Sequence, residues 1–199
     1  SVAAAGRVSY VDLVLRQVLP STIQFVSAPR YWDYQARVEY APADGRDRFY
    51  ALLFGSNDSM RARLDNPGLI DPEGRSEAAG EIGFHRLVSS WSRSLSPTRR
   101  NKLTAALGWE SSTASAGSDL ATAVGTWSAQ LREAFALDLD PRLTVETGLD
   151  LFAARYHSDS VLPHLPLPGE QPDPLVSRQL THDVRSGSLF EPALFLEAT

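Results

Sequence analysis

The segment Ser118–Leu137, SDLATAVGTWSAQLREAFAL, constrains this chain more than any other stretch. Leu120, Val124, Trp127, Leu131 and Phe135 recur at steps of four, three, four and four, the spacing of one face of an amphipathic helix. Ser118 stands where a cap is wanted, and Asp119 suits the positive end of a helix dipole. The same stepping recurs in Phe84, Val88, Trp91 and Leu95 within Glu77–Leu95. It recurs again in Val145, Leu149, Phe152 and Tyr156, after Asp140-Pro141 as cap and first position. Three helices with a common aromatic-bearing seam are expected to pack on one another. Gly125, in mid-helix, costs about 1 kcal/mol relative to Ala and calls for a neighbour that approaches closely.

The rest of the chain supplies shorter elements. Val8–Leu19 has helical spacing and ends at Pro20. TIQFVS (22–27) reads as a strand, and YQARVEY (34–40) alternates apolar and polar residues as a half-buried strand does. Asp44-Gly45 marks a turn, and FYALLF (49–54) reads as a strand covered on both faces. Ser59–Leu64 reads as a short helix and Asn66–Gly74 as an exposed loop. Ser96-Pro97 opens a further helix closed by Gly108, and WESSTASAG (109–117) reads as a polar linker. From Ser160 five prolines in SVLPHLPLPGEQPDP favour an extended path, with one short helix over Leu175–Val184. The expected fold is therefore α+β and predominantly helical. A small antiparallel β-meander of two or three strands lies under amphipathic helices in residues 1–159, followed by an extended Pro-rich C-terminal arm, 160–199.

Composition narrows the chemistry. A chain of 199 residues with 43% hydrophobic and 22% charged residues can bury a sizeable core. The absence of Cys excludes disulfides, thiolate nucleophiles and Cys-ligated metals. No window reaches the roughly 18 apolar residues of a membrane-spanning helix, and the opening SVAAAG lacks the h-region of a signal peptide. The expected location is cytoplasmic or virion-associated, without a membrane span. The first hundred residues carry 13 Arg against 11 acids; the remainder carries a net −7. That split suits head-to-tail contacts with other subunits.

Candidate sites are sparse. Arg30, Tyr31, Trp32 and Tyr34 concentrate aromatics and charge in the manner of an interface anchor. Arg86, Arg93, Arg99 and Arg100 lie in a stretch free of acids, and on a helix Arg86 and Arg93 would face outward together, able to hold phosphates. Leu189, Phe190 and Phe195 give the C-terminal arm apolar anchors for a neighbouring subunit. His157-Ser158-Asp159 resembles the H-x-D iron motif of 2-oxoglutarate oxygenases, with His182 as a third ligand, which would imply a facial triad. The helix ahead of the motif and the prolines after it do not match that family's β-rich context. Asp138 and Asp140 can share a cation or cap a helix. No catalytic residue, metal or cofactor is expected. The reading is a non-enzymatic structural or interaction protein within a larger assembly, such as a viral capsid component, with other protein subunits as partners. The alternatives are a small metal-dependent enzyme using His157, Asp159 and His182, and a nucleic-acid-binding Arg face.

Overall fold

The computed structural model describes residues 1–9, 23–64, 76–117, 120–163 and 179–199. Eight strands run through them: β1 (Val2–Val8), β2 (Ile23–Tyr40), β3 (Asp47–Leu64), β4 (Ser76–Ser96), β5 (Arg99–Ala116), β6 (Leu120–Asp140), β7 (Leu143–Pro163) and β8 (Leu180–Ala198). They form one antiparallel sheet in which every strand pairs with its neighbours in sequence. No helix occurs among the described residues, so that part of the protein is all-β and not the predominantly helical α+β fold expected, and the expected helical layer over the sheet is absent there.

Each expected helix over 77–156 is a strand, for a physical reason. A step of four returns a side chain to the same face of a strand as well as of a helix; a step of three does so only on a helix. In β6 the register puts Leu120 and Val124 on one face and Trp127, Leu131 and Phe135 on the other. In β4, Phe84 and Val88 likewise oppose Trp91 and Leu95, and in β7 Val145 and Leu149 oppose Phe152 and Tyr156. Each supposed seam is two half-seams joined at a change of face. Ser59–Leu64 belongs to β3, and Trp109–Ala116 belongs to β5. Residue 160 lies inside β7, which pairs with β8 from Val145 to Pro163. The helix expected over Val8–Leu19 and the loop Asn66–Gly74 fall almost wholly outside the described residues, while Leu180–Val184 of the last expected helix belongs to β8.

The antiparallel pairing of β2 with β3 about the Asp44-Gly45 turn is as expected, with Gly45 at φ 66°, but the meander runs to eight strands and not to two or three. Ala28-Pro29 does not end the strand; it is taken up as a register irregularity between Ser27 and Arg30. Pro192 sits in β8, whose outer edge has no partner among the described residues, the kind of strand that tolerates a missing N–H.

Two rims result. Residues 41–46, 97–98 and 141–142 close one rim with short turns. The opposite strand ends form the other rim, where Gly117 sits at φ 66°. Ser1 bonds the Glu39 carbonyl and Thr199 pairs with Thr144, so both chain ends lie at the short-turn rim. A packed core is missing among the described residues: Ala136 is the buried hydrophobic side chain and Ser160 the buried polar one, and no large side chain is fully buried. A single-layer sheet of this size leaves both faces to be explained.

Candidate functional site

Successive side chains alternate between the faces, and directly paired residues share one, so the register assigns each residue. One face is apolar through its middle. The row Ala4, Ala36, Leu53, Leu87, Leu107, Ala129, Ala153 and Phe190 crosses all eight strands without a polar group. The next row on that face is Val2, Val38, Ala51, Ser89, Ala105, Leu131, Leu151 and Pro192. Its one hydroxyl, Ser89, bonds the Ala105 carbonyl at 3.5 Å. These side chains are not covered: Leu107 is 56% exposed and Phe190 65%.

Aromatic residues border this band on both sides. Toward the short-turn rim, Tyr40, Phe49 and Trp91 stack in series, with ring centroids 6.3 and 6.1 Å apart, and the Trp91 indole N–H donates to Asp47 at 2.8 Å. Toward the other rim, Trp32 stacks on Tyr34 at 5.8 Å and Tyr34 on His85 at 5.9 Å, where the Tyr34 hydroxyl meets His85 Nδ1 at 2.9 Å. Trp109 and Trp127 continue that border with centroids 4.7 Å apart. All four tryptophans of the chain thus lie on one face at two levels.

The band shifts along the strands as it crosses the sheet. It occupies 32–40 in β2, 127–137 in β6 and 143–153 in β7, moving toward the short-turn rim. Such a staircase is what a level band makes on tilted strands. Charged groups on this face are held at its margins: Asn57 donates to Glu81 at 2.8 Å and Arg61 pairs with Glu77 at 3.2 Å near one rim; Arg93 approaches Asp47 near the other. Glu133 is the exception within the band, and it accepts a hydrogen bond from Asn101.

The opposite face carries charge along its whole length. Arg7 pairs with Asp33 at 2.7 Å, Arg37 with Glu39 at 2.9 Å and Arg86 with Glu110 at 2.5 Å. Arg132 lies 3.7 Å from Asp150 and over the Phe195 ring. Arg100 forks onto Asp138 at 2.7 and 2.8 Å, and the Thr144 hydroxyl donates to the same carboxylate at 2.8 Å. The Arg100 hydrogen bonds, with Thr144 second, hold the Asp138 carboxyl below its ordinary range. The Asp33 carboxylate raises Arg7 above the ordinary guanidinium range by hydrogen bond and charge, and Asp183 does the same for Arg185. Both faces hold glycines covered by rings: a Cβ on Gly125 would meet the Trp109 ring at 2.6 Å, and one on Gly187 the Tyr156 ring at 2.5 Å.

The sequence candidates distribute between these faces. Arg30, Trp32 and Tyr34 stand on the apolar face, and Tyr31 turns to the polar face beneath Arg7 at 5.4 Å. Arg86 and Arg93, seven residues apart, take opposite faces because the segment is a strand; Arg99 and Arg100 also alternate. Leu189 and Phe195 lie on the polar face and Phe190 on the apolar one. His182 Nε2 meets Asp159 at 2.7 Å, but His157 faces Gly125 and Ser186 without joining them. Among the described residues no three His, Asp or Glu groups gather in a way that could hold a metal ion. Asp140 accepts the Arg142 amide at 2.7 Å and so shapes a turn, not a helix cap. Sequence reasoning missed His85, which reaches Tyr34 across Gly55 of the intervening strand, and Trp109, whose partner Trp127 lies on the adjacent strand. No known family model and no curated protein matches the chain.

Proposed function

We propose that this chain forms part of the wall of a membrane-embedded β-barrel, with the apolar face toward lipid and the charged face toward a water-filled interior. The observation that carries the reading is the uncovered apolar band with all four tryptophans at its two borders. Lipid is the medium that leaves such a face unpenalised, and aromatic girdles at both interfaces are the mark of strand-built membrane walls. The lengths agree. Stretches of nine residues in β2 (32–40) and eleven in β7 (143–153) match the roughly 9–11 a tilted strand needs to cross the hydrocarbon. The short turns 41–46, 97–98 and 141–142 gathered at one rim fit the same pattern.

Among the described residues no helix is long and apolar enough to cross a membrane, which leaves crossing by strands untouched. The polar face supports a wide interior: its Arg37 and Arg132 side chains remain about half exposed. The side chains of a closed eight-stranded barrel fill its bore instead. Closure then proceeds through the outer edges of β1 and β8, since an open sheet edge is not tolerated in hydrocarbon. The expectation of a non-enzymatic structural component of a larger assembly is retained, with the bilayer as its surroundings. A capsid component would need a second protein layer over the apolar band.

The test is reconstitution of the full chain into vesicles whose acyl chains are brominated. Tryptophan emission is expected to shift to the blue and to be strongly quenched, with a β-type far-ultraviolet spectrum. A folded, unquenched protein left in the aqueous phase would refute the proposal.

A further inference from the structure

On the polar face near the short-turn rim lies a concavity of about 590 Å³ lined from β3 to β7. Its charges are unevenly satisfied. Arg100 is bound by Asp138 and Arg132 faces Asp150. Arg48 and Lys102, which also line it, have no ion-pair or hydrogen-bond partner among the described residues, and neither does the Arg46 guanidinium in the adjoining turn. The one acid without a partner there is Glu146. Arg48, Ser92 and Lys102 form a single register row across β3, β4 and β5, so the two cations flank a hydroxyl with their backbones about 10 Å apart. Both side chains are long enough to converge over Ser92.

We infer that this row is a binding site for a small soluble oxyanion carrying carboxylate or phosphate groups. The Arg48 guanidinium would take one group through its fork of N–H donors, Lys102 would supply a compact second charge, and Ser92 would donate between them. Everywhere else described on this face, Arg side chains are neutralised by Asp or Glu; here the positive charge is left over, and it faces the water-filled side. A basic concavity concentrates anions from solution before any contact is made. In the barrel-wall reading, on which this inference rests for its biological setting, the site makes the interior prefer anions at the short-turn rim.

The test is calorimetric titration of the full-length chain in detergent micelles with citrate and, separately, with inorganic phosphate. The wild type is expected to bind citrate saturably. Arg48→Gln/Lys102→Gln should weaken it at least about tenfold, while Arg37→Gln, on the same face but paired with Glu39, should leave it unchanged. Both residues of the double variant are exposed, and a far-ultraviolet spectrum confirms that it folds. A flat wild-type titration, a double variant that binds like the wild type, or preference for micellar phosphatidylglycerol over both free anions would overturn the site. Brominated-lipid quenching on the same preparation separates the two proposals. Quenching with a flat titration removes the anion site alone; citrate binding lost in the double variant but without quenching removes the barrel wall and supports the site.

Discussion

The two faces of this sheet are made by the same strands, yet they obey opposite rules. On the apolar face, charges sit at the margins and the centre carries two complete rows without one. On the polar face, Arg–carboxylate pairs recur from Arg7–Asp33 to Arg100–Asp138. A soluble sandwich or a helix-covered sheet would bury one face and wet the other. Here neither face is buried, and the difference between them lies in what each presents: uncovered apolar side chains on one, Arg–carboxylate pairs on the other. Strand period, not residue composition, does the sorting: one residue of slip in register would move Leu107 and Leu131 among the charges of the polar face and Thr104 and Arg132 into the band.

The largest expected effect breaks this asymmetry directly. Leu107→Arg places a guanidinium in the middle of the apolar band and should destabilise the membrane-inserted protein by about 2–4 kcal/mol. Thr104→Arg, three residues away but on the polar face, should change stability by less than about 0.5 kcal/mol. Reversible urea unfolding in lipid vesicles measures both. Equal effects from the two substitutions would remove the distinction between the faces.

A smaller effect tests how closely neighbouring strands are fitted on the apolar face. Gly125 has the Trp109 ring lying over its backbone, so that a Cβ would meet the ring edge at 2.6 Å. Gly125→Leu should displace the ring and cost roughly 1–3 kcal/mol. Gly125→Ala, which meets only the far end of a side chain that can tilt, should cost less. Unfolding in vesicles gives the stabilities, and the Trp109–Trp127 exciton signal in near-ultraviolet circular dichroism reports the ring geometry. An unchanged exciton signal in Gly125→Leu would show that the ring does not cover the glycine.

That glycine also shows what the sequence made legible and what it hid. The need for a close neighbour at Gly125 could be read from its position inside an apolar segment, but the helix assigned around it could not survive. Steps of four are common to helices and strands, and in three segments the discriminating step of three coincided with a change of face, at Val124–Trp127, Val88–Trp91 and Leu149–Phe152. Residues 34–40 alternated cleanly because their polar members, Gln35, Arg37 and Glu39, all lie on the polar face. The later strands blur that signal by placing Val88, Phe152 and Phe195 among the charges of the polar face. Strands of 18–21 residues are also far longer than those of ordinary globular domains, so an apolar pattern sustained that long reads first as a helix. The aromatic borders were legible only where Trp32 and Tyr34 stand two residues apart; Phe49 and Trp91, or Tyr34 and His85, are tens of residues apart in sequence and meet only through register.

The smallest expected effect concerns the polar face alone and is set by pH. Asp138 is held below the ordinary carboxylate range by the Arg100 fork and the Thr144 hydroxyl. A carboxyl depressed on folding contributes stability that is fully present above its unfolded pKa and is lost as pH falls through the folded one. The wild type should therefore lose a small increment of stability on acidification from neutral pH through and below the ordinary Asp range. Asp138→Asn should lack that increment and show a flatter pH dependence over the same window. Because the pair is open to water, raising the salt concentration should shrink the difference. Leu107 on the other face offers the matched control, since its environment holds no titrating partner: Leu107→Ala should shift stability equally at every pH. If Asp138→Asn behaved like Leu107→Ala, the charge pairing of the polar face would contribute nothing that packing does not.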